Sequence, residues 1–539
     1  MELLVTVVSL LVALYAVIPR ERQMELRFRI GLMEWFAGAA GFVLILYLEY
    51  YDFWMAQGWA PDPAQWPCGL TPTTIKPLFV LSIAMFLGFR IRFARLSVRR
   101  IAKFSELCHE LNWQGSYPEL LSLLERNSKE FFRIYRADHK LVVLRRRLAS
   151  RVMPTFEDTI LRLDALRTAG APPPRTFLDR IPDGIARQLI RFLPTFASEQ
   201  RTATELVERV LMAPRFIEAL ANARPYLGVN IIRELPRKFD QQEFLSSYVT
   251  ALMANPASVF YLEIEKSQNL AYAFPESNHF LNNLVRDAKV ARDLEIWRPV
   301  GEFALRELDR LAGAPGSDRY NQATREFEER EAWRSPVCAT IRLFDVMVGA
   351  ALLQGIGWHM WLYYFPPIVE RMVRNYSPFG PLVDLDLTDP TPYNCLIYST
   401  VSAIREWVTT AERVPADQPN VVLRSTRADH ENGNIPKSSI IALGECSRHV
   451  LLSERLSGKF KDSVMDGTFK LYFTLRLSTK LNQYAVVLGT SLLHGGLDSR
   501  TPNPMYLTNL HASFGRLRHE YEITHQAQHV MDLARAIHA

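Results

Sequence analysis

Three apolar runs occupy the first hundred residues, and short polar segments separate them. The runs cover residues 3–18, 30–47 and 77–89. A helix needs about 20 mainly apolar residues to cross a bilayer, so the first run, at roughly 24 Å, is short for a hydrocarbon core of about 30 Å. The pattern predicts an amino-terminal module of three transmembrane helices, which we place at residues 1–103.

The basic clusters near the ends of these runs all fall on one side of the predicted membrane. They follow the first and third runs and are Arg20, Arg22, Arg27, Arg29, Arg90, Arg92, Arg95, Arg99, Arg100 and Lys103. Cytoplasmic segments of membrane proteins carry an excess of Lys and Arg. The distribution therefore predicts a multi-pass protein of the cell inner membrane, with its amino terminus outside and the following domain in the cytoplasm. A signal peptide is disfavoured, because its basic residues would precede the first run.

Residues 77–103 form one stretch that changes from apolar to basic without an internal proline. The stretch predicts a continuous helix that leaves the membrane as a basic rod. Its candidate anion-binding residues follow at spacings of three and four and are Arg92, Arg95, Arg99 and Lys103. Such spacing places them on one helix face. This face either contacts anionic lipid headgroups or lines a vestibule that binds an anionic ligand.

Several residues of the second and third runs are candidates for a pore or a gate. They are Glu34, Gly38, Gly41, Ser82 and Met85. Glu34 lies about one turn inside the second run, where a carboxylate either pairs with a basic residue at the interface or faces a polar cavity. Small residues such as Gly38 and Gly41 let membrane helices approach closely, within one subunit or between subunits.

Beyond residue 103 the chain alternates between helical patterns and prolines or glycines. Residues 104–311 carry apolar positions at intervals of three and four, which predicts a large, irregular helical domain in the cytoplasm. Its basic clusters, such as residues 145–147 and Arg233 with its neighbours, are typical of solvated helix faces. Residues 312–336 are polar and resemble a linker, and residues 337–539 form a predicted α+β carboxyl-terminal domain.

An uncharged run of 20 residues, 346–365, lies inside this last domain. Its length is sufficient for a fourth membrane span. Basic residues stand on both sides of it, however, so the flanks do not favour a crossing. We therefore prefer a buried central helix or a helix lying against the membrane, and keep the fourth span as the alternative.

A small β element is predicted near the carboxyl end of a fold that is otherwise mainly α. Residues 468–480 alternate between apolar and polar positions, as in a half-buried strand, and follow a turn at Asp466 and Gly467. Residues 420–427 also resemble a strand, and residues 484–493 are candidates to pair with residues 468–480. The polar face carries Lys470 and Arg476, which either bind a phosphate or belong to a hydrated sheet surface.

Composition limits the membrane part to a fraction of the chain. The 539 residues are 48% hydrophobic and 22% charged, which is ordinary globular usage, so most of the chain buries a water-soluble core. The net charge of +6 permits a polyanionic partner without requiring one. The five cysteines are widely spaced and lack a CxxC motif, which disfavours a disulfide framework or a zinc site.

Catalytic signatures are absent from the sequence. It contains no Walker A, GxSxG, GxGxxG or HExxH motif. His525 and His529 have the four-residue spacing that can bind a metal, but surface histidines are the simpler interpretation. Residues 427–434 are polar and suit either acid–base groups or an exposed loop. We predict no catalytic residue, metal or cofactor.

The layout of membrane helices followed by a helical sensor-sized domain resembles membrane effectors of bacterial antiphage (abortive infection) systems, such as the transmembrane effector of the Hailong system. In this layout the membrane module takes up about one fifth of the chain. The resemblance implies control by an anionic nucleotide or oligonucleotide. The hypothesis that follows is a homo-oligomeric membrane effector whose cytoplasmic domain senses a ligand and gates a pore. One alternative is a membrane-tethered scaffold that docks a cytosolic partner. Another is a membrane-bound enzyme with its site in residues 370–539.

Overall fold

A computed structural model describes most of the chain beyond the first apolar run. The described ranges are 32–60, 75–79, 96–138, 140–152, 182–193, 195–235, 238–266, 279–313, 319–321, 334–357, 360–377, 391–431 and 433–538, with isolated positions between some of them. These residues are mainly α-helical, and no strand occurs among them. The prediction of a mainly α fold is thereby confirmed.

The chain divides into two compact units. The first consists of Met1–Leu220 with Glu234–Pro236, and the second of Ala221–Arg233 with Arg237–Ala539. Helices on the two sides of residues 312–336 pack directly on each other. That polar stretch therefore connects helices of one unit and does not separate two domains.

The helices α1–α8 begin in the first unit, and α8 ends in the second. They are α1 (Leu32–Glu49), α2 (Tyr51–Ala56), α3 (Ile101–Gln114), α4 (Tyr117–Tyr135), α5 (Lys140–Val152), α6 (Asp183–Phe192), α7 (Ala197–Leu206) and α8 (Pro214–Ala223). A 3₁₀ turn, Val98–Arg100, precedes α3, and a π-helical turn, Val207–Leu211, follows α7. Helix α7 packs on α3 and α4, whose buried faces include Phe104 and Phe131.

The remaining fourteen helices that the structure describes belong to the second unit, except for Glu234, the last residue of α9, which belongs to the first. They are α9 (Pro225–Glu234), α10 (Lys238–Ala254), α11 (Val259–Glu265), α12 (His279–Val285), α13 (Ala288–Asp293), α14 (Trp297–Ala312), α15 (Pro336–Leu353), α16 (Phe365–Asn375), α17 (Pro392–Thr410), α18 (Ile435–Leu452), α19 (Gly458–Leu477), α20 (Asn482–His494), α21 (Pro504–Thr524) and α22 (Ala527–His538). Short 3₁₀ turns occur at Arg319–Asn321, Trp361–Tyr364 and Ala411–Arg413.

Helix α18 lies at the centre of the second unit, where it packs on α16, α17, α20 and α21. Its start is set by Asn434, whose side chain accepts a hydrogen bond from the backbone N–H of Lys437. Pro436 in the first turn lacks only an N–H that the helix does not use there. Gly444 lets α18 approach α20 closely, because a Cβ at this position would overlap the side chain of Ser491.

Helix α15 is a buried core helix. It is the one helix, in the described part of the chain, with the length and hydropathy to cross a membrane, yet 83% of it is buried inside the fold. The helix ends before Gly355, which adopts a positive φ of 71°. The uncharged run 346–365 is therefore not one helix: its second half forms the turn Trp361–Tyr364 and the start of α16.

The predicted β element is wrong. Residues 468–477 belong to α19, and Asp466 and Gly467 lie inside that helix, so they form no turn. The apparent strand alternation arises because α19 packs on α17, α20 and α21 and so buries several of its faces. Residues 484–493 belong to α20, and residues 420–427 form turns and bends.

The predicted continuous rod from residue 77 to residue 103 is interrupted. Ser97 adopts an extended conformation, with φ −91° and ψ 152°, immediately before the turn Val98–Arg100. The helical hydrogen bonding of α3 starts only after this point. The first apolar run lies outside the described residues, and the third is described only at residues 77–79, 81, 82, 85 and 89.

Candidate functional site

A polar cleft of about 740 Å³ opens in the second unit. It lies between α9, the segment around α12 and the carboxyl-terminal half of α15. Its lining residues are Arg233, Glu276, His279, Asn282, Asn283, Val285, Arg286, Val346, Ala350 and Gln354. Its volume falls in the range of about 300–1,000 Å³ that is common for small-molecule sites.

The position of α12 in the wall of the cleft is fixed by Glu263. This carboxylate on α11 is buried and accepts hydrogen bonds from the backbone N–H groups of Phe280 and Leu281, at 3.0 and 2.7 Å. The first N–H groups of a helix have no partner within it and carry the positive end of the helix dipole. The buried Glu263 carboxylate therefore accepts hydrogen bonds from the free N–H groups and balances the positive end of the dipole. It thereby holds the helix that carries Asn282 and Asn283.

The other wall is joined to α15 through Gln354, the residue that ends this helix. Its Oε1 accepts the backbone N–H of Ala288 at 3.0 Å, and its Nε2 donates to the carbonyl of Arg286 at 3.4 Å. The side chain of Asp287 caps the start of α13 between them. The turn that presents Arg286 to the cleft is thus held at both ends.

Two guanidinium groups give the cleft its cationic character. Arg233 donates to the carbonyl and to the side-chain oxygen of Asn283, at 3.1 and 2.9 Å. Within the described ranges, neither Arg233 nor Arg286 forms an ion pair with a carboxylate. An arginine has five N–H donors in a planar fork that suits phosphate and carboxylate oxygens. Most of these donors are consequently available to an anionic ligand.

The remaining lining combines amides with a small apolar surface. Asn282 and Asn283 offer both donors and acceptors, whereas Val285, Val346 and Ala350 offer aliphatic contact. Glu276 and His279 are exposed at the cleft. This combination suits a ligand that has anionic oxygens, a hydrogen-bonding edge and a flat or apolar part.

The predicted pore residues are not part of this cleft. Gly38 is half-buried and Gly41 buried on α1, while the side chain of Glu34 lies outside the described residues. The Ser82 hydroxyl donates to the carbonyl of Leu78 at 2.8 Å, and Met85 is 68% exposed. Their assignment to a pore or a gate stays a prediction.

The predicted anion-binding residues are also elsewhere. Arg92 and Arg95 lie outside the described residues, and Arg99 and Lys103 are exposed in the first unit. On α19, Lys470 pairs with Asp466 at 2.7 Å and Arg476 with Asp532 at 3.0 Å. A strand would have placed Lys470 and Arg476 on one face, but six residues of helix turn them about 120° apart. They form no common phosphate site.

Sequence reasoning missed the cleft because its residues come from three distant segments. Arg233 was assigned to a solvated basic cluster, and no motif links it to residues 276–286 or to Gln354. The one local signal is the pair Asn282 and Arg286, whose four-residue spacing places two polar groups on one side of a helical turn.

A second polar centre surrounds Lys437 in the first turn of α18. Its buried ammonium group contacts Asp429 at 2.5 Å, Glu431 at 2.9 Å and the carbonyl of Ser425 at 3.1 Å. Three partners use all three donors of an ammonium group. Lys437 therefore anchors the polar loop 424–431 to α18, which makes the loop interpretation of residues 427–434 the better one.

A titratable group lies further along α18. Burial raises the pKa of the Glu445 carboxyl, and the nearby charges of Arg500, His430 and Arg448 oppose the shift. Arg500 contacts the carboxylate at 3.3 Å. The ring of His525, one of the two histidines with metal-ligand spacing, stacks on Phe473 at 4.2 Å between centroids. No group of three potential metal ligands occurs among the residues that the structure describes.

The fold and the cleft together define a mainly helical protein with a cationic, ligand-sized site in its second unit. Comparison with family models, curated proteins and solved structures finds no match to this chain.

Proposed function

We propose that this chain is a membrane effector whose second unit binds an anionic, nucleotide-derived ligand in the cleft, and that binding controls a homo-oligomeric pore in the membrane module. The cationic cleft carries the proposal. Its two arginines, which have no acidic partner among the described residues, suit phosphate oxygens, and its asparagines suit the hydrogen-bonding edge of a base. The resemblance in layout to antiphage effectors supports the same ligand class.

Contacts near the ends of the second and third apolar runs support a helical hairpin in the membrane. Lys76, just before the third run, pairs with Glu49 at the end of α1, with 3.0 Å between Nζ and Oε2. The ring of Trp54 stacks on Tyr47 and on Trp59, at 6.4 and 5.4 Å between centroids. Such aromatic clusters are typical of a membrane–water interface.

Ligand binding can be tested on the full chain purified in detergent. The probes are nucleoside mono-, di- and triphosphates, cyclic dinucleotides and short single-stranded oligonucleotides, measured by calorimetry. We expect at least one probe to bind, and Arg233→Gln or Arg286→Gln to weaken it about 10-fold or more, since a hydrogen bond to a charged group contributes about 1.5–3 kcal/mol. Arg310→Gln, which removes a surface arginine, is the control.

The pore is tested separately in liposomes that contain the full chain and an entrapped fluorescent dye. We expect the probe that binds to change dye release, and Arg286→Gln to shift the required probe concentration without changing the maximal release. Binding without any change in release would reject the pore and leave the cleft as a ligand site. Absence of binding by every probe would reject the nucleotide proposal.

A further inference from the structure

Helices α5 and α6 form a packed pair within the first unit, which we call the basic pair. They pack on each other, and Leu148 of α5 and Ala186 of α6 are fully buried. Residues 140–152 and 183–192 contain seven basic residues and a single acidic one, Asp183. The pair is therefore a compact cationic element in the same unit as the predicted membrane module.

One face of α6 is apolar and exposed. Ile185, Leu189 and Phe192 follow at spacings of four and three, so they form one stripe along the helix, and they are 51%, 38% and 87% exposed. Arg187 and Arg191 lie on a different face, roughly 100–160° around the helix from this stripe. A strongly amphipathic helix with arginines on its polar face is the type that lies in a membrane interface.

Arg145, Arg146, Arg147, Arg187 and Arg191 make no ion pair with any residue that the structure describes. Elsewhere in the described chain several surface arginines are paired, as Arg298 is with Glu302 and Arg516 with Asp462. Five arginine charges that have no ion-pair partner in the described part of the chain lie next to an exposed apolar stripe, and this combination suits an external anionic partner that also accepts hydrophobic side chains.

We propose that the basic pair docks on the anionic surface of a phospholipid bilayer. The stripe of α6 enters the boundary between headgroups and acyl chains, and the arginines contact lipid phosphates. A bilayer surface offers phosphates to the arginines and hydrocarbon to the apolar stripe in the same plane. Nucleic acid satisfies the arginines but offers no partner for Ile185 and Leu189, and a second copy of this chain would have to bring a matching acidic surface. The proposal does not depend on the cleft.

The test uses the full chain in lipid nanodiscs, with a polarity-sensitive fluorophore attached at Phe192→Cys. The nanodiscs contain phosphatidylcholine alone or equal parts of phosphatidylcholine and phosphatidylglycerol, with a small amount of nitroxide-labelled lipid as quencher. Phe192 is highly exposed, so its replacement removes no packing. Cys108, Cys338 and Cys446 are buried, and the labelled parent chain gives the background from all native cysteines.

We expect a blue shift and lipid quenching of the Phe192→Cys label in the anionic discs, and much less of both in the neutral ones. Each arginine near an anionic surface changes the docking equilibrium about fivefold. The double variant Arg187→Gln, Arg191→Gln should therefore lose most of the quenching. The matched control is Arg298→Gln, Arg310→Gln, which removes two exposed arginines of the second unit and should leave it unchanged. A label at the exposed residue Ser499→Cys should not be quenched.

Three outcomes would overturn the proposal. A label that stays in water in both lipid mixtures shows that the pair does not dock. A blue shift without lipid quenching shows that protein covers the stripe. A shift that appears only when duplex DNA is added to neutral discs identifies nucleic acid as the partner.

Discussion

Glu263 joins the core of the second unit to its cleft. The carboxylate is 3% exposed, and its two oxygens hold the first turn of α12. A glutamine here keeps the shape but carries only one acceptor oxygen and no charge. The residue therefore links the stability of the unit to the geometry of the site.

We expect Glu263→Gln to lower the free energy of unfolding by about 1–3 kcal/mol, because one backbone N–H loses its partner in a buried place. The same variant should weaken binding of any cleft ligand, since Asn282 and Asn283 follow that turn. Thermal unfolding and calorimetry on the full chain measure the two effects. Glu302→Gln, a change at an exposed carboxylate, is the control, and equal effects of both variants would contradict the role of Glu263.

Glu445 should make the stability of the second unit depend on pH, with a sign that follows from the direction of its pKa shift. Because burial raises its pKa in the folded state, folding favours the protonated carboxyl. The contribution of this group to stability is present below the ordinary carboxyl range, near pH 4.3, and is lost as the pH rises through the raised folded pKa. Glu445→Gln stays neutral at every pH, so its stability relative to the native chain should increase over that interval. Unfolding curves measured at several pH values test this, and a constant difference would refute it.

The residues of the cleft could not be recognised from the sequence. Glu263, Gln354 and Arg233 have ordinary sequence surroundings, and their roles arise only from contacts between helices that are distant in the chain. Polar residues that cap the helix next to them, such as Asn434 or Ser457, are local and readable in principle.

At the scale of elements, the sequence pattern predicts most of the described helices but mistakes α19, which is buried on several sides, for a strand. The spacing of apolar residues and the proline punctuation correctly indicate helices in the described part of residues 104–311. In α19 the same reasoning failed, because a helix buried on several sides places apolar residues at both even and odd positions. Phe469 and Phe473 contact rings of α21, while Tyr472 lies on another face of the same turn. Alternation over ten residues cannot distinguish that arrangement from a strand.

Close packing of α18 against α20 gives a prediction for a pair of glycines. A methyl group at Gly444 would overlap the side chain of Ser491 and the backbone N of Gly496, whereas one at Gly458 meets nothing within 4 Å. We expect Gly444→Ala to cost about 1–3 kcal/mol of unfolding free energy and Gly458→Ala to be neutral or slightly stabilising. Chemical denaturation of the two variants provides the comparison. Equal stability of both would show that α18 and α20 can separate without cost.

At the scale of the molecule, the second unit should not need a bilayer. Its most apolar helix, α15, is buried by its own neighbours, and the three apolar runs lie outside this unit. We expect a fragment of residues 221–539 to be purified without detergent as a folded, helical protein. Gel filtration and circular dichroism test this. A fragment that stays in the membrane fraction would instead support α15 as a membrane span.

The extended conformation of Ser97 limits what can pass along the chain from the predicted membrane module to the helices that follow. A continuous helix transmits twist as well as pull along its axis. At an extended residue the i to i−4 hydrogen bonds of a helix are interrupted, so the residues before and after Ser97 do not share one helical register. A pull along the chain can therefore pass Ser97, whereas a rotation of the preceding residues is not transmitted to α3 through helical hydrogen bonds.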